Sequence, residues 1–170
     1  MVRIIAVLTV ASVTVFLFLN HDRVQELEAF GYPGIFLISI LSNATLILPM
    51  PTLLFTSAMG AVFTPIWVGV VAGTGATLGE ITGYLAGFGG QGVIENRKWY
   101  DQVTKWMKKH GGITILVFAF IPIPIFAIAG MVAGALRMPL WKYLVFSWIG
   151  KVVKMILFAY SGEQVYNWFS

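Results

Sequence analysis

The sequence predicts an all-α integral membrane protein with three spanning helices and two opposed re-entrant helical hairpins arranged as inverted repeats. Three observations predict it. Hydrophobic residues make up 58% of the 170 and charged residues only 11%, with a mean hydropathy of +0.85, so the apolar stretches are too long and too many for a water-soluble core. Two of those stretches are interrupted by a Pro-x-Pro pair, in "LPMPT" and in "IPIPI". Residues 49–67 can also be laid on residues 122–141 with one residue inserted, bringing Pro, Pro, Gly, Pro and Trp into coincidence. No cysteine is present, which removes disulfides and cysteine-ligated metals from consideration. The chain reads as a single membrane domain.

In chain order, residues 1–32 form a spanning helix and an interfacial segment. The apolar run "IIAVLTVASVTVFLFL" has no small-x-small pattern at its end, which favours a retained helix over a cleaved signal peptide. Val24, Leu27 and Phe30 then sit at helical spacing, and Gly31 is placed to end that short helix. Residues 33–90 are the first repeat, a hairpin followed by a span. Pro49 and Pro51 divide the apolar run 34–63 into pieces of about 15 and about 12 residues, each below the ~20 that a straight span requires. Two prolines one residue apart forbid a continuous helix. An unwound backbone inside a bilayer needs protein or water around its carbonyls, and Ser42, Asn43, Thr45, Thr52 and Thr56 cluster about the break. The span of this repeat is expected to run unbroken over residues 67–89.

Residues 91–111 are read as a basic interfacial helix, with Trp99, Val103 and Trp106 at helical spacing among Arg97, Lys98, Lys105, Lys108 and Lys109. Residues 112–165 repeat the pattern as hairpin plus span, with Pro122 and Pro124 at the break. Charge decides between a re-entrant hairpin and a kinked crossing. With both broken segments re-entrant, Arg3, Arg97, Lys98, Lys105, Lys108, Lys109, Arg137 and Lys142 share one side and Arg23 alone lies opposite. That bias favours re-entry, with the amino terminus and the basic loop cytoplasmic. One hairpin plus one span per copy makes the number of crossings odd, so the second copy is inverted, a construction used by transporters.

"GATLGEITGYLAGFGG" resembles the Gly-rich acidic signature of the DedA family, also called the VTT or SNARE-associated Golgi family. "AGMVAGALRMPLWKY" resembles the family's second signature, and the resemblance covers residues 31–162. It implies opposed re-entrant hairpins and movement of lipid between leaflets, by scrambling or by proton-linked recovery of phosphorylated lipid carriers. Many bacterial members carry arginines on both sides of the second break. Here Ala119 and Ile125 stand there and Arg137 remains, which weighs against polyprenyl-phosphate specificity.

Glu80 is the first candidate site residue, because a charge near the middle of an apolar span generally faces protein or water. A carboxyl that merely pairs helices is the structural alternative. Carried forward by the repeat offset of about 74 residues, Glu80 arrives at Lys154, with Lys151 one turn earlier. Glu80 is therefore expected to pair with Lys151 or Lys154, and its protonation to release the pair, unless the lysines snorkel to the outer boundary. Headgroups are expected at Asn43, Thr45 and Thr52 beside the hairpin breaks and at Arg137 at the cytoplasmic mouth. Gly75, Gly79, Gly83 and Gly87 recur every four residues, a strip suited to close helix packing.

Catalytic readings lack material: His21 and His110 are isolated, no metal-ligand spacing exists, and no serine sits in a nucleophile motif. No cofactor is expected, and the small basic patch beside membrane spans argues against nucleic acid. The function expected is lipid movement between leaflets, with or without proton coupling, with membrane phospholipids or lipid phosphates as partners, in the plasma membrane of a prokaryote. Ion-coupled transport of small solutes and a scaffold for other membrane proteins are the alternatives.

Overall fold

The computed structural model describes residues 21–44, 52–90, 97–122 and 125–169. Among them the chain forms seven helices and no strand: α1 (His21–Ala44), α2 (Thr52–Gly60), α3 (Pro65–Gly79), α4 (Ile81–Phe88), α5 (Arg97–Phe120), α6 (Ile125–Ala135) and α7 (Leu140–Phe169). The expected amino-terminal span lies outside the described residues. So do Thr45, Pro49, Pro51 and Pro124, whereas Pro122 lies just past the end of α5.

Only α7, among the described residues, is long and apolar enough to cross a membrane, over Leu140–Trp168. The expected unbroken span over 67–89 is corrected: it divides at Glu80 into α3 and α4. Two backbone bonds bridge the joint, Glu80 N–H donating to Ala76 O at 3.3 Å and Tyr84 N–H to Glu80 O at 3.3 Å. The apolar limbs Gly31–Ala44 and Phe126–Ala135 are shorter than a span.

Two kinks set the limbs apart from the polar segments before them. Gly31 takes φ 48°, ψ −155°, a conformation open to glycine alone, ahead of Pro33. His110 takes φ −143°, ψ 56°, and Thr114 Oγ1 donates to His110 O at 2.9 Å or Trp106 O at 3.2 Å, serving the carbonyls released by the bend.

Both broken segments end beside their own beginnings. The rings of Tyr32 and Phe63 stand 5.3 Å apart, and a Cβ on Gly111 would lie 3.9 Å from Met138. α3 and α7 run antiparallel, with Gly69 against Ile156 and Gly73 against Val152. Three pairs of further close approaches match between the halves. Gly60 of α2 meets the backbone of Ala159 on α7, and Gly134 of α6 meets the backbone of Tyr84 on α4. Gly162 meets Ser57 as Gly87 meets Met131, and Gly75 sits on Phe36 and Ser39 as Gly150 sits on Leu116 and Ala119. Thus the second limb of each segment packs on the span of the other half, and the first limb on its own. One apolar cluster gathers around Tyr84, Phe126 and Tyr143, and another around Ile35, Val68, Met155 and Ala159. Along α7, Lys151 falls between them.

Candidate functional site

A lysine side chain 2% exposed lies at the centre of the molecule. Lys151 forms an ion pair with Glu80 Oε1, whose side chain is 17% exposed. The ammonium also donates to Ala76 O at 3.2 Å and to Asn43 Oδ1 at 3.5 Å, and stands 5.0 Å from the centre of the Phe126 ring. Asn43 is oriented for this role, since its amide nitrogen donates to Ser39 O at 2.8 Å and leaves the oxygen for the lysine. Ammonium and carboxylate together bury charge at a cost of several kcal/mol per ion, offset only where the remaining hydrogen-bonding capacity is met.

The joint at Glu80 helps to meet it. Because α3 stops at Gly79, Ala76 O lies in its last turn, where carbonyls carry partial negative charge, and it accepts from Lys151. Because α4 starts at Ile81, the carboxylate of Glu80 stands at a helix amino terminus, where negative charge is favoured. Thr82 Oγ1 donates to Ala44 O at 3.1 Å, tying this joint to the end of α1.

The pair thus collects one residue from beside each break: Asn43 from the last turn of α1 and Phe126 from the first turn of α6. Lys154, one turn beyond Lys151, is partly buried and makes no ion pair among the described residues. Glu80 Oε2 and the hydroxyls of Ser39, Tyr143 and Ser147 are buried with no hydrogen-bond partner among the described residues. Tyr143, Ser147 and Lys151 recur every four residues, so one buried face of α7 carries polar groups from its first turn to the pair.

Other candidate residues lie elsewhere. Thr52 is buried at the start of α2, its carbonyl accepting from Thr56 Oγ1 at 2.7 Å. Arg137 is exposed, with its guanidinium carbon 5.7 Å from the centre of the Phe88 ring. Its backbone explains the "RM" element: Met138 N–H donates to Ala133 O and Arg137 N–H to Gly134 O, both at 2.9 Å, closing α6 with a Schellman cap. Arg137, at φ 50°, fills the left-handed position that glycine usually takes. The glycine strip divides at the joint. Gly75 and Gly79 admit α1, and Gly87 admits α6, but a Cβ on Gly83 would meet nothing within 4 Å, so close packing does not extend to that position. Neither Phe126 nor Tyr143 was singled out from the sequence; for Tyr143, the four-residue recurrence with Ser147 and Lys151 was the available signal.

The VTT domain family matches residues 50–164. Among curated proteins, the chain is 30% identical over 86 residues to Protein DedA of Escherichia coli (strain K12), covering 51% of this chain and 39% of that one. It is 28% identical over 81 residues to Vacuole membrane protein KMS2 of Arabidopsis thaliana, covering 42% of this chain and 20% of that one. The match therefore spans a fifth to two fifths of these relatives' lengths. No solved structure matches.

Proposed function

The chain belongs to the DedA or VTT-domain family of membrane proteins, and from that premise we propose that it moves phospholipids or lipid phosphates between the leaflets of a membrane. The observation that carries this reading is the convergence of Asn43 and Phe126, from beside the two breaks, on the buried Glu80–Lys151 pair. A polar centre of this kind has the composition a headgroup needs at a depth where hydrocarbon offers it nothing.

The two broken segments act as re-entrant hairpins of an inverted repeat. The return of each to its own starting point, and the matched contacts of Gly60 and Gly134, support this. The first hairpin meets the carboxy-terminal half of α7 and the second leads into its amino-terminal end, so the two open toward opposite faces. Met138 beside Gly111 joins the basic turns of Lys108 and Lys109 to the Arg137–Lys142 region. We assign this end to the cytoplasm by the positive-inside tendency.

In the closed state Lys151 is held by Glu80, Asn43 and Ala76 O. A phosphate arriving between the tips competes with Glu80 for the ammonium, and a proton taken up by Glu80 favours that exchange by removing the negative charge. Arg137 draws anionic headgroups to the cytoplasmic mouth. The test is reconstitution into liposomes carrying a headgroup-labelled phospholipid and an impermeant outer-leaflet quencher. Wild-type protein is expected to expose the inner-leaflet share of label, and Glu80→Gln to flatten the dependence of that exposure on pH, holding it near the wild-type rate at low pH. Full protection of the inner leaflet by folded wild-type protein would remove the lipid reading, and uptake of a small solute in the same vesicles would replace it.

A further inference from the structure

We propose that the elbow of α5 is a binding site for one anionic phospholipid, its acyl chain in the groove below His110 and its phosphate among the lysines above. The bend at His110 joins two unlike helices. Before it, Lys105, Lys108 and Lys109 are exposed and Val103 and Met107 are buried; after it, the limb 111–120 is apolar. A groove of about 430 Å³ lies in the crook of this elbow, lined by Trp106, His110, Ile113, Thr114, Val117 and Phe118. Its floor is hydrocarbon turned outward: Ile113 is 60% exposed and Val117 43%. Trp106, half exposed, tilts against Phe118 with ring centres 5.7 Å apart, forming one wall at the level where tryptophan prefers to sit in a membrane.

Charge identifies the occupant. Lys105 and Lys109 flank Trp106 and His110 in sequence, and Asp101 is the one acidic residue on the described part of this helix. Cations beside a membrane surface favour anionic over zwitterionic headgroups, and the apolar floor requires a ligand that also carries hydrocarbon. A free phosphate satisfies the first demand but not the second. Thr114 spends its hydroxyl on the carbonyls of the bend, so the groove wall itself offers the chain an apolar surface. This inference stands apart from lipid movement, because a site of equilibrium binding exists whether or not the protein transports.

The experiment uses the full chain in vesicles of dibrominated phosphatidylglycerol or dibrominated phosphatidylcholine, reading tryptophan quenching. The contribution of Trp106 is taken as wild type minus Trp106→Phe. That contribution is expected to be quenched several-fold more effectively by the brominated phosphatidylglycerol, and added salt is expected to erode the difference. Replacing Lys105, Lys108 and Lys109 together by Gln is expected to lower the preference by on the order of tenfold or more. Ile113→Trp, read by native mass spectrometry because it adds a fluorophore, is expected to reduce retained phosphatidylglycerol without reducing phosphatidylcholine. Equal quenching by both lipids, or a preference unchanged in the lysine variant, would overturn the proposal. Quenching that changes with protein-to-lipid ratio alone would show a second copy of the chain covering the groove, and would overturn it as well.

Discussion

The two broken segments, 32–63 and 111–138, share a frame and differ at their tips. In both, the ends adjoin, the first limb packs on its own span, and the second limb packs on the span of the other half through close glycine contacts, Gly60 and Gly162 in the first and Gly134 and Gly87 in the second. At the tip, however, the first offers Lys151 an amide oxygen from Asn43 and the second offers the face of Phe126. The spans differ in the same way, since Glu80 and Lys151 belong to one each and meet across the α3–α7 crossing. Duplicated packing therefore surrounds a centre that is not duplicated. A single ion pair ties the two halves together at their crossing.

The comparison breaks most sharply if that pair is removed. Lys151→Met strands a buried carboxylate and is expected to cost about 3–5 kcal/mol in unfolding free energy, read by thermal melting in detergent. Adding Glu80→Gln is expected to restore most of that stability while leaving lipid movement impaired. Gly60→Leu and Gly134→Leu test the shared frame. An added Cβ would collide with Ala159 O or with Tyr84 O, so each variant is expected to lose about 1–3 kcal/mol, and by similar amounts. Unequal losses would deny that the contacts are equivalent.

The tips themselves should respond unequally. Asn43→Leu removes a hydrogen bond to a buried charge and is expected to cost about 1.5–3 kcal/mol. Phe126→Leu keeps most of the apolar volume, loses the ring face, and is expected to cost about 0.5–2 kcal/mol. The smallest effect belongs to the end of the second segment, where Arg137→Gly is expected to be more stable than Arg137→Ala by about 1–2 kcal/mol, because only glycine is at ease at φ 50°.

Much of this was legible in the sequence because its causes are local. Pro-x-Pro halts a helix wherever it falls, Gly31 before Pro33 marks a bend, and Glu80 is conspicuous in an apolar run. The repeat offset pointed from Glu80 to the correct turn of α7, and the structure selects Lys151 there rather than Lys154. The division of the expected span at Glu80 was not legible, because Gly79 is one of four evenly spaced glycines and nothing in the sequence marks it as the break. It accompanies an ion pair between residues far apart in the chain, and gives that pair the ends of two helices. Phe126 escaped for a related reason: an aromatic ring in an apolar helix carries no mark that a buried cation stands over it. Arg137 reads as a headgroup ligand by its charge, whereas its left-handed backbone follows from the closure of α6 against Ala133 and Gly134.

The most direct test is sidedness, which the absence of cysteine makes simple. Single cysteines at Tyr32, Thr64, Lys109 and Lys142 are labelled with an impermeant maleimide in sealed vesicles of known orientation. Tyr32→Cys and Thr64→Cys are expected to react from one face, and Lys109→Cys and Lys142→Cys from the other. Reaction of Tyr32→Cys and Thr64→Cys from opposite faces would mean that the first segment crosses the bilayer, and would contradict the account.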